Sequence, residues 1–279
     1  MATKAPVNKI IPLSVVDGPG NRTSVFLQGC NIACAYCHNP ETQQMCRGCG
    51  ECIGTCPAGA LSLNGKGVVW DESKCQGCDK CIATCPNHAS PKIRNMSAEE
   101  VFAQIRRNVP FIRGITVSGG ECMLRPEFMR ELFELCKEIG LTTLIDSNGT
   151  VDFESYPSLL AVCDGVMLDV KSWEDSTFRA LTGHGNATVI KNLAYLAPKG
   201  KLEELRVVCL EGEVDVENVL RGIAECIPSY FGSIPLKLIR FRKFGVRGRL
   251  EGAASPSDEK MLEWKKLAES LGFACITIK

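Results

Sequence analysis

The sequence predicts an α/β fold, an open partial barrel of six strand–helix units with a small module inserted near its start. Two observations predict it. Outside residues 45–91, short apolar runs alternate with amphipathic stretches, the pattern of parallel strands joined by crossover helices. Within residues 45–91 that periodicity is lost and cysteines crowd together. The expected strands are 23–28, 114–118, 142–146, 165–170, 205–210 and 236–241, with 273–278 as a candidate terminal strand. Ser97-Ala-Glu-Glu100 reads as a capping box opening a helix toward Asn108, the serine and glutamate each satisfying a free backbone N–H. Pro126 suits the first position of a helix ending near Gly140, where its missing N–H costs nothing. The domain division is therefore 1–44 with 92–279 as the barrel, and 45–91 as the insertion.

Composition narrows the function classes. At 279 residues the chain is long enough for about two domains. Lys plus Arg equals Asp plus Glu at 32 each, so no basic field points to nucleic acid. No apolar run approaches the roughly 18 residues of a membrane span, and MATKAPVNKI lacks an apolar signal core. The expectation is a cytoplasmic protein with neither a membrane nor a nucleic-acid partner.

Of the 17 cysteines, most lie between residues 30 and 85, in three groups. The first is Cys30, Cys34 and Cys37. The second, Cys46, Cys49, Cys52 and Cys56 followed by Pro57, recurs 29 residues later as Cys75, Cys78, Cys81 and Cys85 followed by Pro86. This doubled run is the bacterial ferredoxin signature, in which the fourth cysteine of each run ligates the other run's cluster. One 4Fe–4S cluster would then take Cys46, Cys49, Cys52 and Cys85, and the other Cys75, Cys78, Cys81 and Cys56. Zinc ribbons space cysteine pairs differently, and disulfides would require a secreted chain. The first group supplies only three thiolates, leaving one iron of a 4Fe–4S cluster open to a chelating amine and carboxylate. A module with so little apolar content depends on its clusters for a core.

In such barrels the chemistry gathers at the C-terminal strand ends. Ser118-Gly119-Gly120-Glu121 ends the second strand, where glycines allow close backbone approach and a carboxylate can bind an ammonium. Asp146-Ser147-Asn148-Gly149 ends the third, and it also fits a simple Asx turn. Asp169 and Lys171, two apart at the fourth, share a face.

The triad, with Tyr36 before its third cysteine, resembles the radical S-adenosylmethionine superfamily, and Gly119-Gly120-Glu121 is similar to that superfamily's motif for the cofactor's amino group. Val16-Asp17-Gly18-Pro19-Gly20-x-Arg22, the run Phe26-Leu27-Gln28-Gly29-Cys30, and the third and fourth strand ends narrow the resemblance to the glycyl radical enzyme activating enzymes. The double ferredoxin insert is most similar to the YjjW group. The resemblance implies that Asp169 and Lys171 bind the ribose and carboxylate end of S-adenosylmethionine, with further contacts from Arg206 and Arg242. It implies a sodium or potassium ion on Asp146, Ser147 and the backbone of Met167, and contact between Asp17 and the partner.

The same resemblance implies three 4Fe–4S clusters and no catalytic residue of the chain's own, because the radical forms on the cofactor. A 5′-deoxyadenosyl radical would take hydrogen from a glycine in the C-terminal loop of a partner glycyl radical enzyme, with electrons from a flavodoxin or ferredoxin. The family tendency is monomeric. A radical enzyme modifying a peptide or small molecule would share the triad and barrel, and an electron carrier would share the ferredoxin runs alone. Three residues depart from the family pattern: Cys122 stands where proline is common, Ser147 where threonine is, and Arg242 is the nearest match where some relatives present a histidine at the sixth strand. His38 belongs to the cluster's surroundings, His88 and His184 to loops, and Cys136, Cys163, Cys209, Cys226 and Cys275 to apolar packing.

Overall fold

The computed structural model describes residues 3–243 and 245–279. Met1, Ala2 and Phe244, the last of which closes the 240–244 run at the sixth strand, lie outside the described residues. Among the described residues there are eleven strands: β1 (Lys4–Ser14), β2 (Arg22–Leu27), β3 (Leu61–Asn64), β4 (Gly67–Trp70), β5 (Arg94–Ser97), β6 (Gly114–Gly119), β7 (Thr142–Ser147), β8 (Gly165–Asp169), β9 (Leu202–Cys209), β10 (Leu236–Arg240) and β11 (Ile276–Ile278). Nine form one open sheet in the order β11-β10-β9-β8-β7-β6-β2-β1-β5. From β2 through β11 every neighbouring pair is parallel, and β1 runs antiparallel to both β2 and β5.

Helices fill the crossovers. Ala98–Ile105 precedes β6, Pro126–Glu138 precedes β7, Pro157–Val162 precedes β8, and Val216–Cys226 precedes β10. The capping box is formed: the Glu100 N–H donates to the Ser97 hydroxyl, and the Ser97 N–H donates to the Glu100 carboxylate at 2.7 Å. Pro126 opens its helix and Gly140, with φ 77°, follows its end. The six expected strands are all found, and β9 begins three residues earlier than expected, at Leu202. The terminal strand shrinks to Ile276–Ile278.

Three features were not expected. The longest strand, β1, carries Pro6 and Pro12 among lysines and an asparagine, a composition that hides its alternation. Strand β5 pairs with its first residues. The insertion contains the β3–β4 hairpin, closed by the two residues Gly65 and Lys66, with a glycine at the first turn position, as two-residue hairpin turns favour. Cys275 corrects another expectation: it is exposed, beside the edge strand β11, whereas Cys136, Cys163 and Cys209 are buried as expected.

Period-two alternation sends one row of side chains from each parallel strand into the barrel. Arg22, Ser24, Thr116, Ser118, Leu144, Asp146, Met167, Asp169, Glu204, Arg206, Lys237 and Ile239 occupy these rows. Near the N-terminal strand ends, the loop after β1 folds against the same surface. The Asp17 carbonyl accepts from the Thr116 hydroxyl at 2.5 Å, and its carboxylate accepts from Ser14 at 2.6 Å and Ser24 at 2.8 Å. Arg22 is 1% exposed and donates to Thr116, the Ile115 carbonyl and Thr142.

The insertion has its own small core, Cys52, Leu61, Cys81 and Ile82, with Ile53, Val68 and Trp70 against it. Its repeat is visible in the backbone. Left-handed residues recur 29 positions apart: Gly48 and Gly77 (φ 70° and 69°), Gly50 and Asp79 (86° and 55°), Gly59 and His88 (59° and 53°). No helix among the described residues is long and apolar enough to cross a membrane.

Candidate active site

One cavity at the C-terminal strand ends gathers most of the expected site residues. It encloses about 190 Å³ and opens to solvent on one side. Cys30, Cys34, Tyr36 and Cys37 form one wall, Gly119, Gly120, Asp146 and Ser147 another, and Asp169, Lys171 and Arg206 a third.

The first wall is a loop held by backbone bonds. The Gly29 N–H donates to Thr42 and the Cys30 N–H to Gln43, while Ala33 and Ala35 donate to carbonyls of the Asp175–Thr182 helix. Burial pushes each of the three thiols up to about 11. All three are free. The Tyr36 ring lies 5.8 Å from the Lys171 ammonium, and its buried hydroxyl has no partner. Three thiols on one wall supply the sulfur donors that an iron–sulfur cluster uses, whereas no group of three or more His, Cys, Asp or Glu among the described residues is close enough to hold a single metal ion.

The second wall needs its glycines. Gly119 has φ 123°, and a Cβ there would sit 2.1 Å from the Leu27 carbonyl oxygen; at Gly120 it would sit 2.2 Å from that of Gly29. This close approach lets the Gly120 N–H reach Leu27 and the Glu121 N–H reach Gly29. Glu121, 1% exposed, accepts from the Ser147 hydroxyl at 2.9 Å, the Met123 N–H at 2.9 Å and the Asn148 N–H at 2.8 Å. Burial nevertheless pushes its carboxyl up to about 7, because all three donors are neutral. A cation brought to it would gain a buried, charge-assisted partner.

On the third wall, Lys171 donates to Asp169 at 2.7 Å. Burial alone would lower the ammonium, but Asp169, Cys34 and Tyr36 outweigh it and hold Lys171 charged. Arg206 bonds Asp146 at 3.0 Å through Nη1, Glu204 at 2.6 Å through Nε, and the Met167 sulfur at 3.0 Å through Nη2. Asp146 also accepts from Ser118 at 2.9 Å. Met167 is buried and paired across strands with Asp146.

Two expected residues lie elsewhere. Arg242 follows β10 with an exposed side chain, and its backbone N–H faces His38 Nε2 at 3.4 Å. Asp17 lies below the cavity at mid-strand level, its carboxylate held by Ser14 and Ser24. Sequence reading missed Asn148 as a site residue, although it lies inside the third strand-end motif. Its amide N–H faces Cys30 Sγ at 3.6 Å. It also missed Glu204 and Lys237, whose signal was charge in otherwise apolar strands.

The family profile of the Radical SAM superfamily matches residues 24–221. The chain belongs to the radical SAM superfamily. A glycyl-radical enzyme activating enzyme of Haemophilus influenzae, itself named as putative, is 30% identical over 87% of this chain and 84% of its own. The trans-4-hydroxy-L-proline dehydratase activating enzyme of Clostridioides difficile is 31% identical over 93% and 94%. This radical SAM protein is thus an activating-type oxidoreductase among relatives named as activating enzymes. Superfamily membership carries a 4Fe–4S cluster and S-adenosylmethionine. The solved structure of QueE from Escherichia coli shares the fold, with TM-score 0.56 and 13% identity over 99% of this chain and 94% of that one.

The insertion holds two smaller cavities. Cys46, Cys49, Cys52 and Cys85 line one; Cys56, Cys75, Cys78 and Cys81 line the other. Each collects three cysteines of one run and the fourth of the other.

Proposed function

We propose that this radical SAM protein is a glycyl radical enzyme activating enzyme, acting on one glycine in the C-terminal loop of a partner glycyl radical enzyme. The observation that carries the reading is one cavity in which three thiols face Gly119, Gly120, Asp169, Lys171 and Arg206, with Glu121 buried directly behind its glycines, in a chain whose relatives are named as activating enzymes.

Gly119, Gly120 and Glu121 take the amino group of S-adenosylmethionine, the cation that the buried carboxylate lacks. Asp169 and Lys171 hold the ribose and carboxylate end beside Tyr36, with Arg206 within the cavity and Arg242 from beyond β10 as further contacts. Asp146, Ser147 and the Met167 carbonyl hold a sodium or potassium ion, oxygen donors suited to a hard cation. A cluster held by Cys30, Cys34 and Cys37 would supply the one-electron reduction of the sulfonium that leads to removal of the glycine's hydrogen. The chain's residues orient the cofactor and keep water away.

Residues 45–91 form a ferredoxin-like domain inserted between residues 1–44 and 92–279. Its two cavities support two further 4Fe–4S clusters, three in all, with the crossed ligand sets that the repeat implies. They relay electrons from a flavodoxin or ferredoxin, an arrangement that supports placement in the YjjW group. The protein works as a cytoplasmic monomer, and Asp17 meets the partner.

An anaerobic electron paramagnetic resonance spectrum with S-adenosylmethionine, a reductant and a candidate partner tests this. A doublet near the free-electron value is expected, absent with Cys34→Ala or without the partner. Steady release of 5′-deoxyadenosine with no doublet for any candidate would point to another substrate class.

A further inference from the structure

The charged groups inside the barrel form one alternating ladder. Asp146 meets Arg206 at 3.0 Å, Arg206 meets Glu204 at 2.6 Å, and Lys237 meets the same Glu204 oxygen at 2.8 Å. The four side chains are only 9–15% exposed. Asp146 and Arg206 line the cavity. Glu204, two residues before Arg206 on β9, and Lys237, paired across strands with Arg206 on β10, form the layer beneath.

A guanidinium has five N–H groups. Three of those on Arg206 are engaged, by Glu204, Asp146 and the Met167 sulfur, which leaves two. The geometry of the three bonds fixes the plane in which those two point. Charge decides what they can bind. Within the ladder Asp146 and Glu204 balance Arg206 and Lys237, and Lys171 balances Asp169 beside it; with Asp17 a further carboxylate acting on Asp146, loss of Lys237 leaves an excess of negative charge.

We propose that Glu204 and Lys237 are positioning residues for the carboxylate of S-adenosylmethionine: Glu204 sets the Arg206 guanidinium, and Lys237 cancels the Glu204 charge so that Arg206 can attract another anion. Without Lys237, Arg206 faces two carboxylates with no compensating cation below, and the cavity becomes net negative toward an incoming carboxylate. The inference rests on the proposed cofactor site and adds the layer that sets its charge.

The test measures binding without turnover, by anaerobic equilibrium dialysis of the fully loaded, oxidised holoprotein with S-adenosylmethionine or with its decarboxylated analogue. Lys237→Met is expected to weaken S-adenosylmethionine about tenfold, the scale of one unbalanced charge roughly 12 Å away at an effective dielectric of about 20. The analogue, which lacks the carboxylate, should bind as before. Adding Glu204→Gln to Lys237→Met restores neutrality and should recover the affinity to within about twofold, as coupled neighbours do in a double-mutant cycle. Lys237→Arg keeps the charge and should bind normally, which guards against misreading a folding defect. Equal losses for both ligands, no loss, or no rescue by the double variant would overturn the proposal. Failure of both ligands to bind the unaltered holoprotein would instead remove the cofactor site on which it rests.

Discussion

His88 stands 29 residues after Gly59 and repeats its left-handed backbone, φ 53° against 59°. The two halves of the insertion therefore share a backbone path as well as a cysteine spacing, and the second half adopts it with a side chain present.

The shared path makes glycine substitutions in the first half informative. A Cβ at Gly59 would meet nothing within 4 Å, whereas one at Gly50 would sit 2.6 Å from Leu63 Cδ1. Gly59→Ala should cost roughly 1 kcal/mol, left-handed strain less the unfolded-state gain. Gly50→Ala should cost about 0.5–1 kcal/mol more, the scale of turning the exposed Leu63 side chain aside. Chelator-driven loss of visible absorbance, timed for each variant, gives the order; equal rates would show that the Leu63 contact does not matter.

Crossed ligation predicts which pairs of cysteine substitutions act together. Cys46→Ala with Cys85→Ala should remove one cluster, whereas Cys46→Ala with Cys56→Ala should remove two, lowering iron from about twelve atoms per chain to about eight and about four, respectively. Uncrossed runs would reverse the two results. Iron analysis of anaerobically reconstituted protein separates them.

Glu121→Gln replaces the cavity's buried carboxylate with a neutral group. S-adenosylmethionine binding should weaken roughly 10- to 100-fold, the range for a hydrogen bond to a charged group. Dialysis against the labelled cofactor provides the measurement. Retained affinity would remove Glu121 from the amino-group role.

Arg22 donates to Thr116, Ile115 and Thr142 from a site that is 1% exposed. Lysine cannot reproduce a planar set of donors. Arg22→Lys should destabilise the barrel by roughly 3 kcal/mol by leaving carbonyls unpaired, seen as a lower denaturant midpoint. An unchanged midpoint would mean that water replaces the lost bonds.

The parallel strands were legible because burial on both faces leaves uninterrupted apolar runs such as Val166-Met167-Leu168. The triad, the paired glycines and Asp169 with Lys171 were legible because spacing alone places them at strand ends. β1 was not, because its prolines and lysines read as a loop until β2 and β5 pair with its two sides. Glu204 and Lys237 sit on different strands, and only the sheet's order brings them together. Arg242 shows the converse: its position after β10 was visible in the sequence, but its outward direction was not.

The β1–β5 pairing has a consequence for the cysteine-rich segment. Lys4–Val7 binds Arg94–Ser97, the stretch by which the chain leaves that segment, and Gln28 holds the carbonyls of Glu41 and Gln44 at its entrance. The first residues of the polypeptide thus act as the clasp of a bracelet, closing a loop of more than forty residues onto the rigid sheet. Cutting that clasp would leave every cysteine in place, yet free the segment to swing away from the Cys30–Cys37 loop.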